Sequence, residues 1–205
     1  MRKYLILLVA WLPLAMSAQH NTWERPEEEQ QPVKEKINKD AKYLKGAVPE
    51  VDGKVVFSRH FSAPGKTANQ IFDIIGGYLE KMTTEGNQTE NSRVVIKDKA
   101  THTLGASYEE WLVFKSTAIM LDRTRFYYTV QVNCAEGSAD VSIMRLRYLY
   151  EEERSPQHLK AEEWITDKEA LNKKNTKLLP ISGKFRRKTV DRMNFIFNKI
   201  DTLLK

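Results

Sequence analysis

The sequence predicts an α+β domain: a curved antiparallel sheet of about five strands, covered on one face by two main helices. Three observations carry this. Apolar and polar residues alternate through the middle of the chain at the two-residue period of half-buried strands. Two segments, near residues 67–83 and 183–204, repeat apolar residues at the helical period instead. Pro64-Gly65 and Gly137 mark turns between the periodic stretches.

With 205 residues, 41% hydrophobic and 29% charged, the chain suits one folded core and excludes collagen, a membrane bundle and a wholly disordered protein. Its single cysteine, Cys134, excludes a disulfide framework and any Cys-rich metal site, and reads as a small buried apolar residue.

Residues 1–18 read as an export signal. Arg2 and Lys3 begin it, and Tyr4–Met16 is an apolar run broken by Pro13 and shorter than the ~20 residues that span a bilayer. Cleavage after Ala18 puts Met16 at the −3 position, and cleavage after Ser17 puts Ala15 there; both stay open. The expectation is an exported protein, periplasmic, of the cell envelope or secreted, with no transmembrane segment in the mature chain. Loss of Arg2 and Lys3 leaves 31 basic against 27 acidic residues, a net charge of +4.

Residues 19–53 are polar, rich in Glu, Gln and Lys, and interrupted by Pro26, Pro32 and Pro49. Too few apolar groups are present to offset the entropy of ordering, so a flexible arm is expected, with room for a short helix over Val33–Leu44. The domain is expected over 54–205.

Lys54–Ser62 alternates around Val55, Phe57 and Phe61, a strand. Thr67–Thr83 follows as a helix, with Ile71, Ile74, Ile75, Tyr78, Leu79 and Met82 on its buried stripe. Gly76-Gly77 within it suits a close approach to the sheet or a kink. Ser92–Lys97 is a short strand, and His102–Lys115, Leu121–Cys134 and Ser138–Glu151 are long ones. In the second long strand Phe126, Tyr128, Val130 and Val132 share one face; in the third Met144, Leu146, Tyr148 and Tyr150 do. A polar loop follows at Glu151–Gln157, then a short helix near Asp167–Lys173. Ser182 is placed to cap the last helix, Gly183–Leu204, which buries Val190, Met193, Phe197, Ile200 and Leu204. The order is β-α-β-β-β-β-α.

Trp111-Leu-Val-Phe-Lys-Ser116, Leu121-Asp-Arg-Thr-Arg125, Ala161-Glu-Glu-Trp-Ile-Thr-Asp-Lys168 with Ala170-Leu-Asn-Lys-Lys174, and Gly183-Lys-Phe-Arg-Arg-Lys-Thr189 stand in this order along the chain. Together they resemble a domain of unknown function with a TATA-binding-protein-like fold that recurs in exported proteins of Bacteroidetes. The resemblance covers Lys54–Leu204 and implies a curved antiparallel sheet with helices on one face. It implies no catalytic residue, cofactor or substrate, and its fold name does not imply nucleic-acid binding.

Enzyme motifs are missing. His20, His60, His102 and His158 are dispersed, without the helical spacing of a zinc site; no nucleophile elbow occurs, and Gly183-Lys184 lacks a phosphate-cradling loop. Glu109 and Glu110 are strand neighbours and so face opposite ways. Glu162, Glu163 and Asp167 could gather around Trp164, but a loop pinned by a tryptophan is the simpler reading; Trp111 likewise reads as packing. No cofactor or metal is expected.

The strongest local feature is the basic cluster Lys173, Lys174, Lys177, Lys184, Arg186, Arg187 and Lys188, a candidate site for an anion or a partner. Its plainer reading is a solvated helix face with internal pairs such as Arg187–Asp191. Arg123, Arg125, Arg145 and Arg147 form a candidate stripe on the open sheet face. The expected function is non-catalytic binding in the cell envelope, to a protein, glycan or anionic lipid and not to nucleic acid. An enzyme built from carboxylates and arginines across the sheet, and a carrier of an apolar ligand between sheet and helices, are the alternatives.

Overall fold

The structure, a computed structural model, describes residues 38–205. The expected signal segment 1–18, the arm as far as residue 37, and with it His20, lie outside the described residues.

A six-stranded antiparallel sheet is built from β3 (Phe57–Ser62), β4 (Arg93–Asp98), β5 (Thr103–Thr117), β6 (Met120–Ala135), β7 (Ser138–Tyr150) and β8 (Gln157–Lys160). The strand order is β3-β7-β6-β5-β4. β3 pairs with Ser138–Ile143 of β7, and β8 takes Arg147–Tyr150, the strand that the polar-loop expectation missed. A small hairpin, β1 (Glu50–Val51) and β2 (Lys54–Val55), turns at Asp52-Gly53 with both residues at positive φ, the geometry that Asp-Gly favours.

Helix α1 (Ala68–Met82) starts where expected because Thr67 and Gln70 cap each other. It runs unbroken through Gly76, where an added Cβ would sit 3.5 Å from Leu104 Cδ2, so the glycine marks ordinary contact with the sheet and not a kink. Two short helices, α2 (Ala161–Trp164) and α3 (Asp167–Ala170), precede α4 (Ser182–Leu204). Ser182 does not cap α4: it is the first helical residue, and its hydroxyl donates to Glu169 O.

Between sheet and helices the core is aromatic. Tyr108 stacks on Tyr128 at 5.2 Å and Phe126 on Tyr148 at 5.1 Å, while Phe185 of α4 meets Tyr148 edge-on. Cys134 is buried there, as its strand position suggested.

The alternation expected in β7 holds only in its second half. Val141 and Ile143 are buried, then Leu146 and Tyr148, and Met144 is half-exposed. A bulge causes the change of phase: between Thr129↔Met144 and Tyr127↔Arg147 one β6 residue faces two of β7, and Arg145 takes φ +58°.

The arm also ends sooner than expected. Tyr43 and Val48 are buried, and Lys42 and Tyr43 both reach Asp191 on α4. Residues 40–53 therefore belong to the packed unit. A 3-10 turn at Ala41–Tyr43 stands at the end of the segment where a short helix was considered.

Candidate functional site

Strand alternation sends Glu109 and Glu110 in opposite directions, as expected, and this divides the ionic chemistry into two compartments. Glu110 enters the core, where Arg192 of α4 donates from Nε to its Oε1 at 2.8 Å and Asn87 donates to Oε2 at 3.1 Å. Burial pushes the Glu110 carboxyl upward, opposed by the Arg192 guanidinium beside it. Both side chains are fully buried, so the pair serves the fold and has no access to a substrate.

On the other side of the sheet, Glu109 accepts from Arg125, which also donates from Nε to Glu152 at 2.7 Å; these bonds hold the Arg125 guanidinium firmly charged. Trp111 lies directly across from Arg125 in the β5–β6 register. The Arg123 guanidinium stands 3.8 Å from the Trp111 ring centroid, Arg125 4.8 Å, and Arg147 stands 4.4 Å from the ring centroid of Tyr127. Arg125 is tied into ion pairs, whereas Arg123 has none among the described residues.

Beside Trp111 and Arg123 is a recess of about 140 Å³, walled by Leu121, Leu149 and the turn Glu151–Arg154. Glu151 holds that turn with φ +52°, a left-handed conformation that a non-glycine residue adopts only under tight constraint, and its carbonyl accepts from the amides of Arg154 and Ser155.

Of the expected arginine stripe, Arg123, Arg125 and Arg147 do share the outer face, while Arg145 is displaced into the bulge. Trp111, read from sequence as packing, joins them as part of a surface constellation. The available signal was the pairing of the two strands, which sets Trp111 opposite Arg125 and beside Arg123.

The basic cluster does not assemble. Consecutive helical residues point in different directions, and each finds its own partner. Arg186 is fully buried, donating to the carbonyls of Tyr43, Leu44 and Ile165 and to Asp167. Arg187 forks onto Asp40 at 2.7 and 2.8 Å rather than pairing with Asp191. Lys184 bonds Asp122 at 2.7 Å and the Tyr150 hydroxyl at 2.9 Å, and Lys188 is half-buried. Of the cluster, only Lys173, Lys174 and Lys177, in the loop after α3, are exposed.

The carboxylates near Trp164 disperse: Glu162 accepts from Val55 N, Glu163 from Lys160 and Asp167 from Arg186, while Trp164 packs edge-on against Phe185. His60 bonds Asp140 and His102 bonds Asn69, so the two histidines do not meet. Among the described residues, no group of three or more His, Cys, Asp or Glu side chains is placed to hold a metal, and no described helix is long and apolar enough to cross a membrane.

A family model described as a domain of unknown function (DUF4468) with TBP-like fold matches residues 57–149. The crystal structure of a DUF4468 family protein from Bacteroides ovatus is similar at 44% identity and TM-score 0.75, over 80% of this chain and 94% of that one. The crystal structure of a TBP-like protein from Parabacteroides distasonis is similar in fold at 20% identity and TM-score 0.63, over 77% of this chain and 97% of that one. No match to a curated protein is found.

Proposed function

Because the chain belongs to the DUF4468 family, with its TBP-like fold, we propose that it is a non-catalytic binding module of the cell envelope that engages its partner with the outer face of the sheet. The observation that carries this reading is Arg123: over the Trp111 ring at 3.8 Å, without an ion pair among the described residues, at the lip of a recess of about 140 Å³. A guanidinium stacked in this way keeps its N–H edge for a carboxylate or phosphate oxygen. Across the recess stand Glu151 and Glu152, engaged by Arg154 and Arg125, and Glu153, which is placed to accept from an amine or hydroxyl. A segment of an envelope protein, or a glycan bearing an acidic group, offers both.

Binding is favoured over catalysis because Glu110, the one carboxylate among the described residues that burial pushes upward, is sealed in the core with Arg192. A carrier is not favoured, because the layer between sheet and helices is filled by Tyr108, Phe126, Tyr128, Tyr148 and Phe185.

A photo-crosslinking amino acid at Arg154 in living cells tests the site. The reading expects a discrete crosslinked species that disappears in the Trp111→Ala, Arg123→Glu variant; a species unaffected by that variant refutes it. Export rests on residues 1–18, and N-terminal sequencing of envelope-fractionated protein should find Ala18 or Gln19 first.

A further inference from the structure

We propose that the end of the domain formed by the β5–β6 hairpin tip and the start of α4 docks on an anionic lipid surface. This surface adjoins the recess around Trp111, sharing Leu121 with its wall, and goes beyond the partner reading given for it.

The hairpin projects past its neighbours. β7 follows β6 only as far as Thr124, opposite Tyr150, and β4 follows β5 only to Ser107, whereas β5 and β6 go on pairing with each other to Thr117↔Met120. At the tip, Ile119 is 96% exposed, and Met120 and Leu121 about half exposed. Three consecutive large apolar residues on a solvated turn contribute nothing to the core and cost hydration free energy where they stand.

The start of α4 lies at this same end. Lys184 Nζ bonds Asp122, next to Leu121, at 2.7 Å. One turn earlier, Ile181 is 61% exposed and Leu179 38%. The Asn172–Lys177 loop leads directly into that turn, where Gly183 N donates to Leu179 O at 3.0 Å and Leu178 lies against Gly183. Five of the nine exposed large hydrophobic residues of the described chain thus converge on one end.

Charge decides the occupant. Lys115, Lys173, Lys174 and Lys177 are exposed around this end, and none has an ion pair among the described residues. The carboxylates nearby are largely engaged: Asp122 by Lys184, Glu152 by Arg125, Glu151 by Arg154 and Glu169 by Lys168, which leaves Glu153. Apolar residues on a convex projection, ringed by uncommitted lysines, suit the boundary between headgroups and acyl chains, where the lysines meet lipid phosphates as the apolar tip enters. A partner protein would need a cavity shaped to a protrusion; a bilayer needs only to yield.

The full chain carrying Ile119→Cys, labelled with the fluorophore NBD, tests this against phosphatidylcholine vesicles with and without phosphatidylglycerol. Cys134 is buried, which directs the label to position 119. With anionic vesicles the NBD emission should rise and shift to the blue, while a label at Ala135→Cys, beside the turn at the other end of β6, stays unchanged. Lys173→Glu, Lys174→Glu and Lys177→Glu together should weaken this response by about a hundredfold. Unlabelled Ile119→Asp should float less with the same vesicles and keep the unaltered far-ultraviolet spectrum. No shift at position 119, or a response indifferent to the lysines, overturns the proposal. A shift that appears without lipid and grows with protein concentration also overturns it, in favour of a second copy of the chain.

Discussion

The Glu110 carboxylate and the Arg192 guanidinium meet at 2.8 Å with neither side chain exposed to solvent, joining the middle of β5 to the middle of α4. Glu85, Asn87 and Gln88 join the cluster from the segment after α1, so one buried ionic centre connects three parts of the chain.

Removing one member strands the other. Glu110→Leu should cost about 3–5 kcal/mol of unfolding free energy, because it leaves a buried guanidinium without its main counter-charge. The double variant Glu110→Leu, Arg192→Met should lose far less than the sum of the single changes. Urea titrations of the four proteins check this; additive losses would show that the pair is not coupled.

Arg186 should behave as a core residue despite lying in a basic run. Arg186→Ala leaves the carbonyls of Tyr43, Leu44 and Ile165 without their donor and should cost about 2–4 kcal/mol. Replacing Lys173, Lys174 and Lys177 together by glutamine should change the thermal midpoint little, since these side chains are solvated. Differential scanning calorimetry of the two variants separates the roles.

The β7 bulge sets a backbone demand at Arg145. Its φ of +58° costs an ordinary residue about 1 kcal/mol, so Arg145→Gly should hold or raise stability slightly, whereas Arg145→Val should lower it by about 1–2 kcal/mol. Equal midpoints for the glycine and valine variants would contradict the left-handed conformation.

Alkaline pH should unfold the domain through its buried tyrosines. Burial raises the hydroxyls of Tyr78, Tyr108 and Tyr148 well above their ordinary value near 10. In the unfolded chain they ionise at that ordinary value. Their neutral folded state therefore contributes its full stability below about pH 10, and the contribution falls as pH rises toward the folded values. Tyrosinate absorbance from the core should appear together with loss of far-ultraviolet circular dichroism; ionisation of all tyrosines with the fold intact would refute it.

Much of this architecture was legible in the sequence for physical reasons. The long strands and both main helices carry strong periodic burial, and the Phe126, Tyr128, Val130 and Val132 face is buried as the alternation requires. The shift of phase in β7 was not legible, because an arginine and not a glycine occupies the left-handed position, so no residue type announced it. Residues 40–53 looked like an arm because few of them are apolar; their order comes from distant partners, Asp191, Arg186 and Arg187, which local composition cannot reveal. For the same reason a run of cations gave no sign that Arg186 is fully enclosed. Arg123 and Arg125 lie on the outer face, but the recess beside them depends on a turn that follows β7 and on its constrained Glu151.

Two strands from distant parts of the chain, β3 and β8, occupy successive halves of the same β7 border, and Arg145 stands at the join. The sheet thus has a seam across its width. Its Arg147–Tyr150 half is paired with β8 and its Ser138–Ile143 half with β3, and the β8-paired half runs directly into the turn that walls the recess. Whatever fills the recess can therefore tighten one side of that seam and leave the other untouched, so occupancy would be written into the amide protection of a single half-strand.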